Sequence, residues 1–166
     1  MVGALMLDHF SRSELAYPTT GEVRLAAGFG EALERLRVEL DAPIYLNSAC
    51  RSPEHNAKVR RHPRSLHLIV NDHWGTGGTC AVDVVATDGQ YRAKLIVLAL
   101  DQDWSVGVAS NFVHLDRRSR QQAQNEYIKT KAGWGTEIGW VQELRSTEAA
   151  STDRLRKLGR SFIRLN

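Results

Sequence analysis

The sequence predicts an α+β fold, a small and mainly antiparallel sheet flanked by helices. Three observations carry it. Apolar residues recur at helical spacing between Leu25 and Leu40, and the β-branched run "CAVDVVA" (80–86) stands between two helical stretches. "DWSVGVAS" and "NFVHLDRR" (103–118) alternate apolar and polar residues about a Ser110–Asn111 turn pair, the pattern of an antiparallel hairpin. Helices and strands in this order, closing on a hairpin, make a small antiparallel sheet rather than a parallel one.

Each element has its own signal. "LDHFSRSELA" (7–16) offers Asp8 or Ser11 as a cap and Phe10 and Leu15 as apolar anchors, so a short helix is expected after Ser11. In "RLAAGFGEALERLRVEL" (24–40), Leu25, Phe29, Leu33, Leu36 and Leu40 form one apolar stripe on a helix. "APIYLNSA" (42–49) reads as a strand. "RSPEHNAKVRR" (51–61) carries a helix start, with Ser52 at the N-cap and Pro53 at the first helical position. "GQYRAKLIVLALDQ" (89–102) is the second long helix. After Ser119 the chain is polar as far as "GWGTEIGW" (133–140), and a last basic helix is expected over 152–165. There Leu155, Leu158, Phe162 and Leu165 share a stripe that docks on the domain. Arg154, Arg156, Lys157, Arg160 and Arg164 lie largely around the other side.

At 166 residues the chain is long enough for one domain with a real core, and a single domain over 1–166 is expected, with a basic extension from about 119. The longest apolar run, "KLIVLAL" (94–100), is about a third of the roughly 20 residues a membrane helix needs, so no membrane span is expected. The start, "MVGALMLDHFSRSE", lacks the basic, apolar and small-residue pattern of a signal peptide. The expectation is therefore a cytoplasmic protein until something else releases it. Cys50 and Cys80 are thirty positions apart, which fits neither a disulfide framework nor a zinc-ribbon pair, and two buried reduced thiols are expected.

Charge is uneven. Residues 117–166 hold 11 of the 22 Lys and Arg but 5 of the 19 Asp and Glu, a basic end that suits nucleic acid, an anionic membrane or a cell-wall polymer, or equally a solvated helix face. No RNA- or DNA-binding motif accompanies it, so nucleic acid is not expected as a partner, and a monomer is.

The chemistry gathers on the strands. His67 or His73, Asp83 and His114 are the side chains able to converge there. Two neutral imidazoles and a carboxylate suit a borderline-soft divalent ion such as zinc, with a fourth place left to water. Asp83 sits between valines, where an unpartnered carboxylate is costly and a metal compensates it.

Four segments together resemble the zinc D-Ala-D-Ala carboxypeptidase family, in particular its short bacteriophage peptidases. They are "HFSRSELA", "LNSACRSPEHNAKV", "SLHL" followed by "AVDV", and "VGVASNFVHLD", spanning about residues 8 to 118 in the family's order. The resemblance implies that family's hedgehog-like fold and zinc held by His67, Asp83 and His114. It also implies a Ser65 position near the substrate, and Arg51 binding the substrate's carboxylate or carbonyl oxygen, a task suited to a two-pronged cation. The implied activity is hydrolysis of peptide bonds in peptidoglycan stem peptides, by a carboxypeptidase or endopeptidase of endolysin type.

Two departures stand out. The first ligand and the aspartate are usually seven apart in this family, whereas His67 and Asp83 are sixteen apart, with "IVNDHWGTGGT" grown between them. His67 keeps the Ser-x-His-Leu context and is the expected ligand; the alternative is His73. Many relatives carry an acidic base three residues before the last histidine, and here that place is Asn111. Asp116, which shares a strand face with His114, is the catalytic candidate that remains, either orienting His114 or accepting a proton; Glu54 is a weaker one. The loss of the acid also leaves open a catalytically impaired module that binds the cell wall or serves as a virion part.

Overall fold

The computed structural model describes residues 7–117 and the backbone of Gly139–Trp140. The basic helix expected over 152–165 lies outside the described residues. The chain forms two compact units, Met1–Val82 and Asp83–Asn166, with the division inside one strand.

In the first unit, helix α1 (Arg12–Leu15) opens on a capping box: the Ser11 hydroxyl accepts the Glu14 N–H, and the Glu14 carboxylate accepts the Ser11 N–H. Ser11, rather than Asp8, is thus the cap. Helix α2 (Phe29–Leu40) buries Phe29, Leu33, Leu36 and Leu40 as its stripe predicts. Leu25 does not belong to it. Gly28 takes a left-handed conformation (φ 74°) that starts the helix after the first stripe residue, and Leu25 instead makes an isolated parallel bridge with Thr79. Strand β1 (Leu46–Ser48) is shorter than expected, while helix α3 (Pro53–Lys58) begins as read, with the Ser52 hydroxyl accepting the His55 N–H at 3.2 Å.

The long loop that follows α3 is tied to the stretch before α2. Thr79 N–H donates to the Arg24 carbonyl at 2.8 Å, and Ala26 N–H donates to the Thr79 carbonyl at 2.9 Å. This approach requires a glycine at 78, since a Cβ there would lie 2.7 Å from the Leu25 carbonyl carbon and 2.9 Å from the Ala26 nitrogen, both rigid backbone. Gly78→Ala is therefore expected to destabilise the protein by about 1–3 kcal/mol, read as a lowered denaturant midpoint. Both cysteines are buried. Cys50 lies in a small cluster with Tyr17 and Ile69, where burial raises its thiol pKa.

The second unit takes most of strand β2 (Ala81–Val85), helix α4 (Gly89–Asp101), and strands β3 (Ser105–Val108), β4 (Phe112–Asp116) and β5 (Gly139–Trp140). Asp88 caps α4 by accepting the Tyr91 N–H at 2.8 Å, and α4 packs on β3 and β4. The strand order is β1-β2-β4-β3-β5, with β3 antiparallel to both β4 and β5. The hairpin is the one read around Ser110–Asn111, and β5 falls within "GWGTEIGW", where the sequence had given no strand signal. The α+β class with a small antiparallel sheet and flanking helices is as expected.

Buried Arg92 on α4 clamps the hairpin turn. Its Nε donates to the Ala86 carbonyl at 2.8 Å and its Nη2 to the Ser110 carbonyl, while Ala86 N–H donates to the Asn111 carbonyl.

Candidate metal centre and its arginine

Strand periodicity builds the centre. Along β2, Val82 and Val84 are fully buried and Asp83 points the other way, partly exposed. Along β4, His114 and Asp116 share one face. The residue directly across from His114 on β3 is Gly107, so no neighbouring side chain crowds the imidazole from that position.

Both ring nitrogens of His114 are engaged: Nδ1 lies 2.8 Å from an Asp83 carboxylate oxygen and Nε2 3.1 Å from Asp116. Burial alone would lower the His114 pKa, but hydrogen bonds to Asp116 and Asp83, together with their charges, outweigh it and push it up to about 9.

His67 is fixed by backbone. Its Nδ1 lies 2.8 Å from the Ala49 carbonyl, which only accepts, so Nδ1 carries the hydrogen and Nε2 the lone pair. The His67 carbonyl in turn accepts the Arg51 N–H at 2.9 Å and the Thr79 hydroxyl at 2.8 Å. One ligand atom each from His67, Asp83 and His114 lie within 4.8 Å of one another. His73 is not in this group; it is exposed on the loop, its ring edge-on to Trp74 at 5.1 Å.

The donor set fits a divalent ion. In a metal site, a ligating imidazole usually donates its other N–H to a carboxylate or carbonyl, which sets its tautomer. His67 has the Ala49 carbonyl for this, and His114 has Asp116. Asp116 is 0% exposed and lies against the nitrogen opposite the one facing Asp83. Both roles read for it in the sequence, orienting His114 or accepting a proton, start from this contact with the ring.

An ion binding through His114 Nδ1 has to displace a proton below pH 9. Apparent zinc affinity is therefore expected to rise about tenfold per pH unit from 7 towards 9 and then level off, measurable by competition with a chelator of known pH dependence. A flat profile would argue against His114 as a ligand.

Arg51 is half-buried. Its Nη1 donates to Asn56 Oδ1 at 3.1 Å and its Nη2 to the Ser48 hydroxyl at 3.2 Å. Its backbone pairs with the segment after His67, since Ile69 N–H donates to the Arg51 carbonyl. Ser65 is half-buried in a turn, where its hydroxyl receives the His67 N–H at 3.4 Å and its carbonyl the side chain of Asn71. Asn111 is exposed on the hairpin turn. Glu54 is exposed in the first turn of α3, and hydrogen bonds to its own backbone N–H and to Ser52 hold its carboxyl below the usual range, which makes it a poorer base.

Sequence reasoning missed Ser48, Asn56 and Thr79. Only Asn56 had a signal, being a polar residue inside the "SPEHN" helix start.

A family model described as Peptidase M15 matches residues 8–116, about two thirds of the chain. No curated protein and no solved structure matches the chain.

Proposed function

We propose that this chain, which belongs to the peptidase M15 family, is a zinc-dependent hydrolase of peptide bonds in the stem peptides of bacterial peptidoglycan. Family membership makes it a peptidase acting on a peptide substrate, in keeping with the D-Ala-D-Ala carboxypeptidase-like resemblance. The further reading is a single hedgehog-like domain over 1–166 with a basic extension from about 119, and a carboxypeptidase or endopeptidase of endolysin type. Among the described residues no helix is long and apolar enough to cross a membrane.

The observation that carries the reading is the convergence of His67, Asp83 and His114, each imidazole already held through its other nitrogen. When bound, zinc supplies a water whose pKa falls to about 7 and polarises the scissile carbonyl. The chain's own residues do the rest. His67, Asp83 and His114 hold the ion, and Asp116 keeps the His114 ring turned. Arg51 binds the substrate's anionic end or the oxygen that becomes negative in the transition state, and Ser65 lies at the substrate's edge. Asn111 can orient a water but cannot accept its proton.

The test is mass spectrometry of fragments released from purified sacculi, with and without chelator. Chelator-sensitive release is expected, and the new termini identify the bond. The Asn111 substitution favours a second reading, a wall-binding or virion module without turnover. That reading predicts sacculus binding with no fragment released at any zinc concentration.

Asp116→Asn separates the two roles of that residue. If it orients His114, zinc affinity falls about 10–100-fold. If it is the base, affinity holds and kcat alone falls.

A further inference from the structure

We infer that Asn56 is a positioning residue for Arg51, holding the guanidinium at the place where it meets the substrate. The inference rests on the reading of Arg51 as the anion-binding group.

Asn56 is 2% exposed, on the inner side of α3. A buried primary amide is costly unless its oxygen and both hydrogens find partners. Here all three do. Nδ2 donates to the Arg61 carbonyl at 3.3 Å and to the His62 carbonyl at 2.9 Å, and Oδ1 accepts from Arg51 Nη1 at 3.1 Å. The orientation of the amide is chemically forced, because two carbonyls can only accept and a guanidinium can only donate.

The backbone of the same residue is equally committed. Its N–H donates to the Ser52 carbonyl at 3.0 Å, and its carbonyl accepts the Arg61 N–H at 2.9 Å. Asn56 thus closes the 56–62 turn from the inside while presenting one oxygen to Arg51. With the Ser48 hydroxyl at 3.2 Å from Nη2, it gives the guanidinium two neutral acceptors on different elements. These contacts fix the position of the group without offsetting its positive charge.

Neither aspartate nor alanine performs the same task. Aspartate would accept from Arg51, but it would set a carboxylate against the Arg61 and His62 carbonyls and pair off the charge the substrate needs. Alanine removes one acceptor from Arg51 Nη1, takes the amide donor from the Arg61 carbonyl, and leaves the His62 carbonyl with the Ser65 N–H but without the amide.

The experiment compares full-length, zinc-loaded wild type with Asn56→Ala, Asn56→Asp, Arg51→Ala and the Arg51→Ala/Asn56→Ala double variant. It measures kcat and KM on muropeptides solubilised from purified sacculi, together with zinc content and melting temperature. Asn56→Ala is expected to lower kcat/KM about 10–100-fold, with the same division between kcat and KM as Arg51→Ala and with one equivalent of zinc retained. In the Arg51→Ala background it is expected to change kcat/KM by less than about twofold, since interacting residues are not additive. Asn56→Asp, which keeps the shape, is expected to lose activity in the same way, so the idea stays testable if the alanine variant fails to fold.

Losses that multiply in the double variant, or an active Asn56→Asp, would overturn the role of Asn56 while leaving Arg51 its own. Full activity in Arg51→Ala would overturn the reading of Arg51 and this inference with it.

Discussion

Replacing His67 with alanine is expected to abolish stoichiometric zinc binding and reduce peptide release from sacculi to background, while His73→Ala leaves both largely intact. The asymmetry follows from where the two rings lie. His67 Nδ1 is held by the Ala49 carbonyl, and the residue contributes a ligand atom to the group within 4.8 Å of Asp83 and His114; His73 is on the exposed loop against Trp74. Loss of a partner that merely orients a ligand costs about 10–100-fold in metal affinity, and loss of the ligand itself costs more. Zinc content after gel filtration, by elemental analysis, decides the point. Zinc retained by His67→Ala and lost by His73→Ala would overturn the assignment.

The second large effect is that of Arg51. Arg51→Ala is expected to lower turnover about 10²–10³-fold with zinc and fold retained, the scale of losing one donor to a developing oxyanion. Arg51→Lys is expected to recover little of it. An ammonium is a point charge and cannot bond Asn56 and Ser48 while also offering a two-pronged face. Steady-state kinetics with zinc content and melting temperature measured alongside checks this. Activity within a few-fold of wild type would reduce Arg51 to a structural cation.

What the sequence revealed was local. Ser52 and Pro53 announced α3, and the alternation about Ser110–Asn111 announced the hairpin, because each signal lies within a few residues of what it directs. Leu25 fits the α2 stripe by spacing, yet Gly28 turns the chain before the helix begins, and Leu25 goes to Thr79. Alternation put Asp116 on the face of His114, but its burial and its contact with the ring depend on packing that spacing does not report. Asn56 was silent as a partner of Arg51, since its other two bonds reach carbonyls five and six residues further on. The two-residue strand Gly139–Trp140 is too short to have a period.

The nine extra residues between His67 and Asp83 lie in a loop held by several ties, and one of them is a latch at its base, where Cys80 N–H donates to the Leu66 carbonyl at 2.9 Å. Loop length on the far side of that latch is nearly a free variable. Closing sixteen residues rather than seven costs only about 0.7 kcal/mol of chain entropy. Motif spacing is accordingly a weak identifier of such a centre, because chain entropy sets little limit on the length of the segment between its first two residues. Longer segments at that place would build a different rim around the same His67, Asp83 and His114 cluster.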